Sequence, residues 1–161
     1  MTDILEKLGT EKPVHAMSSA LQPHELIAVG PNTYDPHIWF DLQLWNRCVG
    51  ELAEFLIDQF PEYRQAIEQN AMDYFQDLGL AHDAMIRASN KVPDSLRAMV
   101  TAHDAFSYFG RAYGIEVRGL QGISTAAEFG VSDMRTSATF IIDKQLNTVF
   151  TETSVNPKSI Q

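Results

Sequence analysis

The sequence predicts an α/β protein: parts of two lobes joined by a long rigid helix, the C-terminal part a small parallel βαβ sheet, and the whole incomplete at both termini. Three observations carry this. Apolar residues recur at three- and four-residue spacing through 42–60, and the period resumes across 61–90. Beyond Pro93 short apolar segments alternate with amphipathic ones in the order strand, helix, strand, helix, strand, the pattern of parallel βαβ units. A doubly wound sheet of only three strands would be small, and Asn156-Pro157-Lys158 opens a helix with no room to finish before Gln161.

The elements follow in order. Met1 to Gly9 reads as a short amphipathic helix closed by glycine, not as a secretory signal, so the chain as written is expected to stay in the cytoplasm. Thr10 to Tyr34 is irregular, with one short strand at Val14-His15-Ala16-Met17. Asp41 is placed to cap a helix over 42–60, on which Leu44, Trp45, Cys48, Leu52, Phe55 and Leu56 form one face. Pro61 suits the first turn of a second helix, which continues through Tyr63, Ile67, Ala71, Phe75, Leu78 and Ile86 toward Asn90. At ~1.5 Å per residue it extends roughly 40 Å, longer than a small domain is wide, and so reads as a strut between lobes. Strands are expected at 96–101, 115–120 and 148–152, and helices at 105–113, closed by Gly114, and from Thr125 or Ala126 to Gln145. This divides the chain into 1–40, a remnant of an N-terminal lobe; 41–90, helices including the interlobe backbone; and 91–161, a partial C-terminal α/β lobe.

Composition narrows the partners. Twelve Lys and Arg against 21 Asp and Glu give a formal net charge of −9, which opposes binding to nucleic acid or anionic lipid and favours a cation. No apolar stretch reaches the ~20 residues of a membrane-spanning helix. One cysteine, Cys48, excludes an intramolecular disulfide and a CxxC motif, and reads as a small apolar residue.

Five histidines, at 15, 24, 37, 82 and 103, are the candidate ligands, and none lies in a local metal motif. His37 is held in a turn by Asp35-Pro36 and anchored beside Trp39, so one imidazole nitrogen can face a site while the other is fixed. His103 follows a strand and precedes a helix, where open α/β sheets collect their ligands; Asp104 or Thr101 is placed to cap that helix. His15 and His24 read as surface residues, and His82 as a solvated or core-edge residue on the long helix. Glu128 with Ser124 or Thr125 forms an approximate capping box. Arg118 is placed to pair with Glu116 or Glu152, and Phe106, Tyr108, Phe109 and Tyr113 read as core.

Asp35-Pro36-His37-Ile38-Trp39-Phe40-Asp41 resembles a segment of the solute-binding proteins that serve zinc and manganese ABC transporters. So do Thr101-Ala102-His103-Asp104-Ala105-Phe106-Ser107-Tyr108-Phe109, Gly119-Leu120-Gln121-Gly122-Ile123-Ser124-Thr125 and Thr151-Glu152-Thr153-Ser154, in the family's order. The resemblance implies two α/β lobes on one long helix, with Zn or Mn bound between them as solute, outside the cytoplasm, for delivery to a permease. It maps His37 and His103 onto two of the family's four ligand positions; the first His and the last acidic ligand fall before Met1 and beyond Gln161. The chain is accordingly expected to be the interior of such a protein, with weakened binding. Competing readings are a folded remnant without activity and a metal-dependent phosphohydrolase using His82-Asp83 and His103-Asp104, which would need an all-helical bundle. No enzymatic activity is expected.

Overall fold

The computed structural model describes residues 12–123 and 131–152 together with Lys7 and Gly9, with backbone alone at Gln121 and 131–134. The rest of the helix expected over 1–9, the capping box around Glu128, the first turns of the helix from 125 and the turn at 156–158 lie outside the described residues.

The first difference from expectation is near the N-terminus. Residues 14–16 are irregular and Met17–Ala20 is a 3₁₀ turn, so Val14-His15-Ala16-Met17 is no strand. The strands lie further on, where none was expected: β1 (Ala28–Gly30) and β2 (Thr33–Tyr34) form an antiparallel hairpin. Asn32 closes it at φ 53°, a left-handed conformation asparagine tolerates better than most residues. Every side chain on both strands is exposed, so no alternation of polarity marks them.

Helix α1 (Leu42–Gln59) begins where Asp41 accepts the backbone N–H groups of Gln43 and Leu44 at 3.1 and 3.3 Å. Such a cap contributes about 1 kcal/mol. After a 3₁₀ turn at Pro61–Tyr63, α2 (Arg64–Ser89) runs 26 residues without interruption, ~39 Å at 1.5 Å per residue. It lies antiparallel to α1: Gln43 meets His82 at 3.2 Å, Trp45 Nε1 donates to the Tyr74 hydroxyl at 3.2 Å, and Gly50 faces the Phe75 ring. Elsewhere α2 is open, with Met72 and Leu80 about 60% exposed.

The C-terminal part is the parallel βαβ unit the sequence predicts. Strands β3 (Ala98–His103) and β4 (Glu116–Gln121) pair in parallel across α3 (Ser107–Tyr113), which Gly114 ends at φ 67°. β3 starts two residues late because Asp94–Leu96 forms a 3₁₀ turn after Pro93. Neither Asp104 nor Thr101 caps α3: Thr101 Oγ1 donates to the His103 carbonyl at 2.8 Å, and Asp104 accepts from Ser107 Oγ at 3.0 Å. The strand expected at 148–152 reduces, among the described residues, to one parallel bridge from Thr101 to Phe150, with the Phe150 N–H donating to Val100 at 2.8 Å. Phe150 is 53% exposed, while its neighbour Val149 is half-buried. The described part of the following-β4 helix is α4 (Val131–Asp143). Arg118 pairs with neither expected carboxylate; its guanidinium lies over the Phe140 ring at 4.7 Å, while Glu116 takes Lys144.

The core joins these parts. Leu21, Leu44, Cys48 and Tyr108 form one buried cluster, with Met17, Ile27, Ile38, Phe40 and Trp45 packed around it. Tyr108, fully buried, accepts the Ile27 N–H at 3.0 Å and donates to the Asp35 carbonyl at 3.0 Å, tying α3 to the N-terminal segment. No helix among the described residues is long and apolar enough to cross a membrane.

Candidate functional site

Pro36 holds Asp35 in an extended conformation, and the short side chain then folds back over the following turn. Asp35 Oδ1 accepts both the backbone N–H of His37 at 2.9 Å and its imidazole Nδ1 at 2.6 Å. An ionised carboxylate only accepts, so Nδ1 is assigned as the protonated nitrogen and the ring lone pair sits on Nε2. Asp35 is 2% exposed, and its other oxygen is buried without a hydrogen-bond partner among the described residues. Leaving such an atom bare opposes folding by about 1–3 kcal/mol, a sign that the carboxylate is kept for what it holds and not for stability. The Tyr108 bond to the Asp35 carbonyl fixes the backbone beneath it. Burial pushes the Tyr108 phenol up from its ordinary range, which keeps it a neutral donor.

His103 ends β3, and its Nδ1 lies 2.6 Å from Glu152 Oε1. The same assignment leaves its Nε2 free to coordinate. The two imidazoles meet with ring centroids 5.6 Å apart and planes inclined at 66°. A tetrahedral metal about 2.0–2.1 Å from each ring nitrogen would hold two centroids about 5 Å apart, so the spacing suits a shared ion. Trp39 packs edge-on against His37 at 5.3 Å. Three residues beyond each histidine stands a phenylalanine, and Phe40 and Phe106 pack together at 4.3 Å. The contact between the two segments is thus a polar pair beside an apolar pair.

The other histidines lie elsewhere. His15 stacks on Phe55 at 4.7 Å and reaches Glu51 at 2.8 Å; His24 is exposed in the 3₁₀ turn Pro23–Glu25; His82 sits between Tyr113 and Gln43, each at 3.2 Å. Among the described residues no three His, Cys, Asp or Glu gather as a ligand shell; a zinc site fills roughly four positions, and two imidazoles are half of that number.

The structure brings together the two histidines that the sequence singled out, and behind each it places a carboxylate that sequence reasoning did not assign to it. Asp35 had a usable signal, an acceptor two residues before a histidine. Glu152 had none, because 49 residues separate it from His103.

The sequence matches the family described as zinc-uptake complex component A, periplasmic, over residues 1–161. The manganese-binding lipoprotein MntA of Bacillus subtilis is 38% identical over 161 residues, 99% of this chain and 53% of that protein. The solved structure of the periplasmic zinc-binding protein TroA from Treponema pallidum superposes with a TM-score of 0.93 at 36% identity, covering 98% of this chain and 57% of that one. The Fe(III)-bound structure of YtgA from Chlamydia trachomatis gives a TM-score of 0.78 at 28% identity, over 84% of this chain and 51% of that one. The chain thus spans about half the length of the relatives it matches.

Proposed function

The chain belongs to the zinc-uptake complex component A family, and from that premise we propose that it binds a divalent transition metal ion, zinc or manganese, as the solute-binding component of a metal ABC transporter. The ion is cargo and not a catalytic cofactor. His37 and His103 coordinate it through Nε2, Asp35 and Glu152 hold the two rings, and other ligands or water complete the shell. Stretches 1–40, 41–90 and 91–161 then correspond to an N-terminal lobe remnant, the helical backbone and part of a C-terminal lobe. The protein acts outside the cytoplasm and hands its ion to a permease.

One observation carries the reading: two imidazoles from segments 66 positions apart meet at 5.6 Å, each with Nδ1 bound to a carboxylate. A carboxylate on one nitrogen orients the ring and raises the basicity of the other. Hydrolysis by His-Asp pairs is disfavoured, because His103 ends a strand, Asp104 is engaged by Ser107, and His82 stands apart from both.

Titration calorimetry with Zn²⁺ and Mn²⁺ tests the reading. His37→Ala and His103→Ala should each abolish binding, while His82→Ala leaves it unchanged. Equal losses from all three would mean adventitious surface binding. A folded wild-type chain that binds neither ion would be an inactive remnant.

A further inference from the structure

The two ligand histidines are held by different means. Asp35 is two residues from His37, buried, and pinned through its carbonyl by Tyr108, so the first imidazole is oriented by a sequence neighbour on a backbone that the core holds in place. Glu152 arrives from 49 residues away, on a segment that meets β3 among the described residues at one bridge, Thr101 to Phe150. Among the described residues of this segment the Phe150 side chain is more than half exposed and Val149 is only half-buried, so none of them is a fully buried anchor. Segments with few buried apolar contacts open at low free energy.

We infer that Glu152 is a positioning residue for His103, and that ion capture and the docking of segment 147–152 on β3 are thermodynamically linked. The inference rests on the metal-binding reading above. When the segment is docked, Glu152 fixes the His103 ring with its Nε2 toward His37. When it is undocked, the ring turns freely and the proton exchanges between its nitrogens. An ion coordinated at Nε2 favours the Nδ1–H form, which needs the acceptor on Glu152, so the bound ion stabilises the docked segment. Linkage is reciprocal: docking raises affinity by the same factor by which the ion favours docking. One ligand is thus permanently presented, and the other is presented only with its segment in place.

Three measurements on the whole chain decide this. Long-range ¹H–¹⁵N correlation spectra of the metal-free protein should show His103 as the Nδ1–H tautomer in the wild type and as a mixture in Glu152→Ala, with His37 unchanged in both. Zinc affinity should fall about 10- to 100-fold in Glu152→Ala, the range for lost outer-shell partners. Glu152→Gln, whose side-chain carbonyl can still accept from Nδ1, should recover most of it. Hydrogen exchange at the Phe150 amide should slow on zinc saturation in the wild type and much less in Glu152→Ala. Wild-type zinc affinity in Glu152→Ala, or exchange at Phe150 indifferent to zinc in a chain that binds it, overturns the linkage and leaves the metal site standing. A wild-type chain that binds no zinc overturns both.

Discussion

Removing one oxygen atom at Tyr108 should loosen both the fold and the site. Tyr108→Phe keeps the buried ring and the Arg111 guanidinium 4.9 Å from its centre, so packing is conserved and the hydroxyl is isolated as the variable. Two backbone groups lose their partner, the Asp35 carbonyl and the Ile27 N–H, each 3.0 Å from the phenol oxygen. The carbonyl belongs to a residue 2% exposed, where a bare acceptor costs about 1–3 kcal/mol. Ile27 is half-buried, so water recovers part of its loss and about 0.5–1.5 kcal/mol remains. The expected destabilisation is about 1.5–4.5 kcal/mol, which for a chain of 161 residues lowers the melting midpoint by roughly 3–18 °C. Urea unfolding should show the midpoint shift at unchanged slope, since the surface exposed on unfolding is the same. Zinc affinity should fall as well, because the backbone under Asp35 carries His37. A loss below about 0.5 kcal/mol would refute the accounting, by showing that those two groups find other partners.

Gly119→Ala should unfold or strongly destabilise the βαβ unit, because a Cβ there would stand 2.3 Å from the Asp104 backbone nitrogen and 2.5 Å from its Cα. Circular dichroism melting should show a loss of several kcal/mol, about 3 or more; any folded fraction should bind zinc poorly, since Asp104 adjoins His103. Cys48, fully buried and with its thiol pushed up first of all by burial, should resist iodoacetamide in the native protein and react at once in urea. A folded-state pKa above the unfolded one gives stability that is complete below about pH 8.5 and lost as pH rises through the native value. Urea midpoints should therefore decline above about pH 8.5, and Cys48→Ala should flatten that decline.

How much of this could be read from the residues depended on the range of the forces involved. The helices α1 and α2 were legible because each buries one stripe, and the stripe repeats within a turn; Asp41 and Gly114 mark ends by chemistry that acts over three or four residues. The hairpin at 28–34 was not legible, since a two-residue strand with exposed side chains has no pattern and its turn hangs on the single φ of Asn32. The third strand was overread: Val149 and Phe150 are apolar enough to suggest one, but among the described residues one pair forms a bridge. At the candidate site, sequence motifs pointed to His37 and His103, whose rings the structure brings together, while Glu152 reaches His103 by a contact across 49 residues that no local spacing encodes.

Under the proposed metal-binding function, the phenylalanine pair has a consequence for which ions the two histidines accept. Phe40 and Phe106 follow the two histidines at equal intervals and press ring against ring at 4.3 Å. Carbon packed on carbon resists compression and loses attraction when drawn apart. The aromatic contact therefore acts as a gauge block, setting the gap between the imidazoles before any ion arrives. An ion of another radius has to be met by its remaining ligands, because this side of the cage keeps its dimension. Shaving the block with Phe106→Leu would let the gap drift, and the preference among ions should blur before affinity for any one of them is lost.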